Sequence, residues 1–274
     1  MFEANKVFPG ITHIRDQMGV CMTLIEGKER AVLVDAGYGT EDVAGYVRTL
    51  TDKPVSLILT HGHHDHVLGA RWFPEAMLCA EDAEEYVLRT GEEQRRRVAG
   101  QALSAGITVP EDFLTAAMPK ISAPVWMEMI GGFSARRENL GSREILMIKV
   151  PGHTAGSLVI YVPEERLLLT GDDWNPCTWM WFPCSLPVTD WLGNMKELLG
   201  ALEEEGGVEK VLCSHQPMIR EGTELKDYLE WVTEGILEGA EESDMSPEIR
   251  VRRALKPERG WELAFDWDKY RKEE

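Results

Sequence analysis

Four of the seven histidines in this chain fall within one short segment, His61-Gly62-His63-His64-Asp65-His66. The segment directly follows residues 55–60, a mainly apolar run that is typical of a strand covered on both faces. Imidazole groups packed this densely would repel one another if they were protonated. A divalent cation removes that conflict, because neutral imidazole and carboxylate groups are its ligands. The segment therefore predicts a metal site at the end of a buried strand.

Three further candidate ligands lie far from this segment along the chain but occupy the same kind of position. His153, Asp172 and His215 each follow a short apolar run that predicts a strand. Strand ends at one edge of a sheet can converge on one point although they are distant in sequence. We therefore expect these three side chains to join the first segment in one metal centre.

The rest of the chain shows two kinds of hydrophobic pattern. Short apolar or alternating runs predict strands at residues 11–15, 20–25, 31–34, 145–150, 158–162, 167–170 and 208–213. Apolar residues spaced three and four apart predict core-facing helices near residues 188–202 and 223–236. This mixed pattern favours sheet layers that are covered by helices.

The net charge of the chain is −18, which argues against binding to nucleic-acid phosphates or to an anionic membrane surface. The apolar runs fall far below the roughly 20 residues needed to cross a bilayer, and the N-terminus lacks a signal-peptide pattern. Five scattered cysteines indicate reduced thiols rather than a disulfide framework. These features predict a cytoplasmic protein with no nucleic acid or membrane as partner.

Taken in order, the candidate ligands resemble the signature of a known family. Residues 60–66 match the H-x-H-x-D-H motif of the metallo-β-lactamase superfamily. The segments Pro151-Gly152-His153-Thr154, Thr170-Gly171-Asp172 and Ser214-His215 are similar to its later motifs, and Asp35-Ala36-Gly37 is similar to an upstream element. The match is specific because all of these motifs occur together and in the same order.

The resemblance implies an α/β fold, an αββα sandwich with a dinuclear metal site at one edge. By motif position, one metal would be held by His61, His63 and His153, and the other by Asp65, His66 and His215. Asp172 would bridge both metals, whereas His64 stands at a non-ligand position. True β-lactamases with this signature carry Cys or Ser in place of that aspartate, so Asp172 points towards the glyoxalase II and lactonase branches.

The activity implied by the resemblance is hydrolysis of a small ester, thioester or lactone by a hydroxide that bridges two metal ions. Asp65 and Asp172 are the expected catalytic residues, and Asp65 is the best candidate to shuttle the proton. Asp35, Thr60 and Thr170 are expected to orient ligands through hydrogen bonds. Zinc is the first expectation for both ions, with iron or manganese as alternatives, because His and Asp ligands accept all three.

Two other activities fit the same motifs and stay open. A persulfide dioxygenase-like oxidoreductase would hold a single iron through His61, His153 and Asp172. A phosphodiesterase of the same superfamily would use the whole centre, although the net charge of −18 disfavours a nucleic acid as its substrate.

The segment that follows Asp172 is unusually aromatic. The side chains of Trp174, Trp179 and Trp181 lie within ten residues of Asp172, and this position predicts an apolar wall of the substrate pocket. The alternative is that these rings pack in the core beneath a loop. For the neighbouring Asp173 we expect a loop or helix-cap role.

The chain length fits one domain over residues 1–274. A helical insertion is predicted at about residues 83–130, where charged residues suggest solvated helix faces. A short C-terminal extension is predicted at about residues 240–274, with a hairpin around Pro257-Glu258-Arg259-Gly260. The oligomeric state cannot be read from these patterns, and a homodimer stays open.

Overall fold

The computed structural model describes residues 1–271, and their strands form two seven-stranded sheets and one four-stranded sheet. In the first sheet, spatial order follows chain order: β1 (Glu3–Phe8), β2 (Ile11–Arg15), β3 (Cys21–Glu26), β4 (Ala31–Val34), β5 (Val55–Ile58), β6 (Glu75–Met77) and β7 (Lys120–Ser122). Strands β1 to β4 pair antiparallel, and β4 to β7 pair parallel.

The second and third sheets come from the later half of the chain. The second sheet contains β8 (Glu128–Ile130), β9 (Phe133–Asn139), β10 (Glu144–Lys149), β11 (Leu158–Val162), β12 (Leu167–Leu169), β14 (Lys210–Leu212) and β15 (Arg220–Glu221). The third contains β13 (Cys177–Met180), β16 (Glu241–Ser243), β17 (Val251–Lys256) and β18 (Trp261–Asp266). Two of these pairings are parallel, β12 with β14 and β13 with β18.

Helices connect the strands and cover the outer faces of the sheets. They are α1 (Val43–Leu50), α2 (His64–Val67), α3 (Ala83–Thr90), α4 (Glu92–Ser104), α5 (Val188–Leu202), α6 (Gly222–Trp231), α7 (Glu234–Glu238) and α8 (Trp267–Arg271). Short 3-10 turns lie at Leu68–Trp72, Ala80–Asp82, Pro163–Glu165 and Pro257–Arg259. No helix in the described range is long and apolar enough to span a bilayer.

The central strands of both large sheets are apolar on both faces because each face is covered. In β4, Val32 packs in the cluster shared by the two sheets, whereas Leu33 packs in a second cluster with Val47 of α1. In β11, Ile160 faces the first sheet, and Tyr161 packs in the cluster that contains α5. This alternation follows from the two-residue period of a strand. The four layers are therefore helix, sheet, sheet and helix, which confirms the predicted αββα sandwich.

The predicted helical insertion at residues 83–130 is too long. Helices α3 and α4 end at Ser104, whereas β7 and β8 are the edge strands of the first and second sheets. The later part of this stretch therefore carries the chain from one sheet to the other. Each of these two edge strands has only three residues, which is too short a run to show a strand pattern in the sequence.

The C-terminal extension is more closely joined to the body than the sequence analysis expected, up to the last three residues, which lie outside the described range. The predicted hairpin is present as β17 and β18. However, β18 pairs with β13 from the middle of the chain, and Trp261 and Phe265 join the core cluster that contains α5 and α6. Such a parallel pairing between distant segments leaves no local signal in the sequence.

The buried His13 of β2 is held as a neutral ring by two polar neighbours. Its Nε2 atom lies 3.1 Å from the Gln216 carbonyl oxygen, and its Nδ1 atom lies 2.9 Å from Thr23 Oγ1. Because a carbonyl oxygen can only accept, Nε2 donates to Gln216 and Nδ1 accepts from the Thr23 hydroxyl. Burial lowers the pKa of His13 to about 4, although the Gln216 hydrogen bond opposes the shift.

We expect His13→Gln to weaken the acid sensitivity of the fold. Between the ordinary pKa of 6.5 and the lowered value of about 4, the unfolded chain binds a proton that the folded chain does not. Stability is therefore lost as pH falls through this window, by up to about 3 kcal/mol at this residue. Urea unfolding at pH 7 and pH 4.5 measures the effect, and the pH 7 value corrects for the substitution itself. An equal loss in wild type and variant would contradict the prediction.

Candidate metal centre

The candidate ligands lie at one edge of the sandwich because four strands end there. His61 follows β5, His153 follows β10, Asp172 follows β12 and His215 follows β14. The edge is joined across the two sheets by a hydrogen bond from the Leu158 amide to the Thr60 carbonyl, at 2.8 Å. The structure thus brings together all seven side chains that the sequence analysis selected as ligands.

Three of these side chains form an all-histidine group. The ligating atoms of His61, His63 and His153 lie within 4.8 Å of one another, and all three rings are buried. His63 Nδ1 and His153 Nε2 are 2.9 Å apart. The rings therefore direct their nitrogen atoms towards a common point.

The other four side chains form a mixed group of two carboxylates and two imidazoles. Asp65, His66, Asp172 and His215 also place one ligand atom each within 4.8 Å of the others. Asp172 Oδ2 lies 3.1 Å from His215 Nε2, 3.4 Å from His66 Nε2 and 3.7 Å from His153 Nε2. One oxygen of Asp172 thus faces both groups.

The donor set fits divalent metal ions. His61 Nε2 is buried and has no hydrogen-bond partner among the described residues, which is costly unless another group binds it. Burial, reinforced by neighbouring imidazoles, lowers the pKa values of His61 and His63 well below the usual value. Burial likewise lowers the pKa of His153. These rings are therefore neutral at pH 7, as metal ligands must be.

The mixed group carries the charge of the site. Burial lowers the pKa of His66, but the carboxylates of Asp65 and Asp172 outweigh it and raise that pKa well above its usual value. In return, the imidazoles of His66 and His215 overcome the effect of burial and hold the pKa values of both carboxyl groups below the usual range. Both aspartates are thus ionised and available as oxygen ligands.

Asp35 and Thr60, which the sequence analysis proposed as orienting residues, contact two of the rings through hydrogen bonds. Asp35 Oδ2 accepts from His66 Nδ1 at 2.9 Å, and Asp35 also accepts from the Thr60 hydroxyl. The Thr60 oxygen lies 3.0 Å from His61 Nδ1. Both rings therefore turn Nε2 towards the centre. Asp35 adopts a φ of +64°, a strained left-handed conformation that these contacts hold in place.

Thr170 does not have the expected orienting contact. Its hydroxyl donates to the carbonyl oxygens of Trp174 and Leu212, at 2.8 and 3.3 Å. It touches none of the candidate ligands, because its side chain closes the backbone turn after β12 instead of facing the centre.

Asp82 is a buried carboxylate that sequence reasoning missed. Its Oδ2 accepts from the Gly62 amide at 2.7 Å and from the Thr154 hydroxyl at 2.8 Å, and its Oδ1 accepts from the Gly156 amide at 2.8 Å. A Cβ at Gly156 would lie 2.5 Å from Asp82 Oδ1, so only glycine permits this approach. Asp82 therefore joins the His61 and His153 loops, although nothing in its local sequence separates it from other acids.

Two further residues position ligands from the loop that follows β12. Asp173 Oδ1 accepts from the His153 amide at 2.7 Å, so this residue holds a loop, as expected. Asn175 was missed: its Nδ2 donates to Asp172 Oδ1 at 3.3 Å, and its Oδ1 accepts from the His215 amide at 3.2 Å. Asp172 and Asn175 are three residues apart, but the contact with His215 could not be read from the sequence.

A cleft of about 510 Å³ opens over both groups of ligands. Trp179, Trp181 and Phe182 form one wall, and the last two rings stack at 4.3 Å. Trp179 is 41% exposed because the alternation along β13 turns its side chain outward while Met180 points inward. Trp179 and Trp181 thus lie where the sequence analysis expected them, and Phe182 was missed.

Trp174 does not line the cleft, although the sequence analysis placed it in the pocket wall. Its side chain is fully buried and packs edge-on against Tyr228 of α6, with ring centroids 6.1 Å apart. The chain directs this ring into the core before β13 begins. For Trp174 the alternative interpretation, aromatic packing beneath a loop, is therefore the right one.

The loop that carries Phe182 is held by the C-terminal helix. Lys269 Nζ donates to the carbonyl oxygens of Phe182, Pro183 and Ser185, at 3.0, 3.0 and 2.6 Å. The Ser185 hydroxyl in turn donates to the His153 carbonyl at 2.8 Å. One ammonium group therefore connects the end of the described chain to the cleft wall.

We expect Lys269→Met to loosen this wall without emptying the centre. Losing charge-assisted hydrogen bonds to three carbonyls should lower the free energy of unfolding by about 1–3 kcal/mol. KM should rise while metal content stays unchanged, because no ligand is altered. Urea unfolding, steady-state kinetics and elemental analysis measure these effects. Lys226→Met, which removes a surface pair with Glu203, is the control. An unchanged KM in Lys269→Met would contradict the prediction.

The chain is similar to known proteins in sequence. Residues 16–172 match the family model described as the metallo-beta-lactamase superfamily. Acyl-coenzyme A thioesterase MBLAC2 from Homo sapiens is 27% identical over 207 residues, which cover 70% of this chain and 71% of the relative. Hydroxyacylglutathione hydrolase from Cereibacter sphaeroides is 32% identical over 116 residues, covering 42% of this chain and 32% of the relative.

A solved structure shares the fold at low sequence identity. The sec-alkylsulfatase Pisa1 from Pseudomonas sp. superposes with a TM-score of 0.62 at 19% identity, covering 84% of this chain and 40% of that one. At this identity the likeness concerns the fold alone.

Proposed function

Because the chain belongs to the metallo-beta-lactamase superfamily, we propose that it is a metal-dependent hydrolase that cleaves thioesters. The observation that carries the proposal is Asp172 Oδ2, which faces an all-histidine group and a mixed group beneath one cleft. Two relatives support the choice of a thioester, since they are an acyl-coenzyme A thioesterase and a hydroxyacylglutathione hydrolase.

The two groups of ligands support a dinuclear centre. In this proposal, His61, His63 and His153 would hold one ion, Asp65, His66 and His215 would hold the other, and Asp172 would contribute its carboxylate to both. Zinc is the first candidate, because its common ligands are imidazole nitrogen and carboxylate oxygen. When bound, the two ions would lower the pKa of the attacking water and polarise the substrate carbonyl.

Residues of the chain would transfer the proton of the attacking water to the thiol leaving group. Water adds to the carbonyl carbon, the carbon–sulfur bond breaks, and the products are a carboxylic acid and a thiol. Asp65 lines the cleft and lies 3.5 Å from His66 Nε2 and His215 Nε2, so it is our candidate to accept the proton of the water and return it to the sulfur. A thiolate needs little such help, because thiols ionise near pH 8.5.

The aromatic wall would bind the apolar part of the acyl group. Trp179, Trp181 and Phe182 give one side of the cleft an apolar surface next to His63, whose ring lies 4.8 Å from that of Phe182. Such a surface binds methylene groups and excludes water from them. The cytoplasmic location stays a prediction, and a homodimer stays an alternative to a monomer.

The first experiment combines metal content with a matched set of substrates. Tag-free protein from cells supplied with zinc, iron and manganese is analysed by elemental mass spectrometry. It is then assayed on the pentanoyl thioester of N-acetylcysteamine, the matching oxygen ester and δ-valerolactone. We expect about two zinc or manganese ions per chain and release of free thiol as the fastest reaction.

Other outcomes would overturn the proposal. About one iron per chain, with oxygen uptake on a persulfide and no thiol release, would favour the dioxygenase alternative. Cleavage of a phosphodiester without cleavage of the thioester would favour the phosphodiesterase alternative. Two irons per chain would support the hydrolase only if thiol is released.

A further inference from the structure

Arg89 is the one lysine or arginine among the described residues that line the cleft. It lies near the end of α3, in the helical pair that follows the first ligand segment, and Gln101 of α4 adds a neutral amide to the same lining. The aromatic wall of Trp179, Trp181 and Phe182 lines the same cleft. The cleft therefore combines a row of candidate metal ligands, an apolar wall and a single cation.

Glu85 holds the Arg89 guanidinium beside the centre. Arg89 Nε donates to Glu85 Oε1 at 2.5 Å, and the same oxygen lies 3.5 Å from His63 Nε2. One carboxylate oxygen thus connects the guanidinium with a candidate ligand. Because Glu85 occupies only the Nε position, the two terminal nitrogens of Arg89 remain, and neither donates a hydrogen bond to any residue in the described range.

Other arginines of the same helical pair differ from Arg89. Arg96 and Arg97 are 63% and 66% exposed, pair with Glu92 and Glu93 through a terminal nitrogen, and do not line the cleft. Arg89 is only 20% exposed. A guanidinium on a largely buried side chain, with two terminal nitrogens that bond to no residue in the described range, is suited to a bidentate oxyanion.

From this geometry we propose that Arg89 binds a carboxylate of the substrate, located a few bonds from the scissile carbonyl. The inference rests on the proposed thioester hydrolysis and names its substrate class, a thioester with a carboxylate on a short acyl or thiol part. Because Glu85 contacts both Arg89 and the candidate ligand His63, the cation lies on the His63 side of the reacting centre. A phosphate at the far end of a long coenzyme arm would lie too distant from that centre, whereas the carboxylate of a short dicarboxylic acyl group reaches it.

The overall charge of the protein makes a local cation useful to an anionic substrate. At a net charge of −18, the protein as a whole repels such a substrate. A guanidinium in the cleft would add a short-range attraction for the carboxylate to that of the proposed metal ions. Meanwhile the aromatic wall can pack against the methylene groups that separate the carboxylate from the carbonyl.

The test compares short thioesters with and without a carboxylate. Glutaryl and pentanoyl thioesters of N-acetylcysteamine place the carboxylate on the acyl side, and the pentanoyl thioester of 3-mercaptopropionate places it on the thiol side. We expect wild type to favour one carboxylate-bearing substrate over the neutral one by about tenfold or more in kcat/KM. Rates are corrected for spontaneous hydrolysis, and the side that is favoured identifies where the carboxylate is carried.

Variants assign the preference to the guanidinium. Arg89→Gln should lower kcat/KM about tenfold on the favoured substrate and leave the neutral thioester within about twofold. Arg89→Lys should retain part of the preference, and Arg96→Gln should retain all of it. Wild type without a preference would overturn the inference. An equal loss on charged and neutral substrates would also overturn it, because Arg89 would then act through Glu85 on the centre.

A binding measurement separates this inference from the proposed hydrolysis. Glutarate and pentanoate are titrated calorimetrically into wild type and Arg89→Gln, each with the metal that it carries after purification. If no thioester is cleaved but glutarate binds about tenfold more weakly to Arg89→Gln, the thioesterase proposal fails and the carboxylate site stands. If glutarate binding is the same in both proteins, the carboxylate site fails whatever the activity.

Discussion

Asp172→Ala should lose both metal and activity. Its Oδ2 lies within 3.7 Å of nitrogens from the all-histidine and the mixed group, so the substitution removes the carboxylate that faces both. We expect kcat/KM on the thioester to fall by about 1,000-fold or more, because positioned metal ions contribute several kcal/mol of transition-state stabilisation. Elemental mass spectrometry and thiol release measure the two effects in the same preparation.

Two further variants make this prediction specific. His61→Ala, which removes a buried nitrogen without a hydrogen-bond partner, should have the same double effect. Asp52→Ala, at an exposed aspartate outside the cleft, should change neither quantity. Full metal content in both Asp172→Ala and His61→Ala would contradict the ligand assignment.

Asp82→Ala should lower the free energy of unfolding by more than the substitution of an acidic residue on the surface does. The substitution leaves the buried amides of Gly62 and Gly156 without their acceptor. Each unsatisfied group costs about 1–3 kcal/mol, so we expect the free energy of unfolding to fall by about 3–5 kcal/mol. Metal content should fall as well, because both amides belong to loops that carry ligands.

The comparison with neighbouring variants tests the role of this carboxylate. Asp82→Asn keeps one acceptor oxygen and should fall between wild type and Asp82→Ala in urea unfolding. Glu81→Ala, which removes a surface pair with Lys149, should stay within about 0.5 kcal/mol of wild type. The prediction is wrong if Asp82→Ala unfolds at the same urea concentration as Glu81→Ala.

The layered fold was predictable because the apolar residues of its central strands and of its helices follow a regular spacing that is visible within each element. Short apolar runs indicated β4, β10, β11 and β12, and the spacing of apolar residues indicated α5. The edge strands β7 and β8 were not predicted, because each has only three residues, too few to show a two-residue alternation. The pairing of β13 with β18 was not predicted either, since residues so far apart have no common local pattern.

The sequence by itself determined which groups are candidate metal ligands, because His61, His63, Asp65 and His66 follow one strand and the remaining candidates follow others. Residue type and strand position sufficed for that, since the chemistry of a ligand belongs to its own side chain. Only the tertiary structure decided which other side chains hold the loops of those candidates or line the cleft beside them. Asp82 contacts the His61 and His153 loops across the fold, and Arg89 lines a cleft whose other walls come from distant segments. Trp174 and Trp179, five residues apart, face the core and the cleft. Such roles depend on where a side chain points after distant segments pack, which no local pattern encodes.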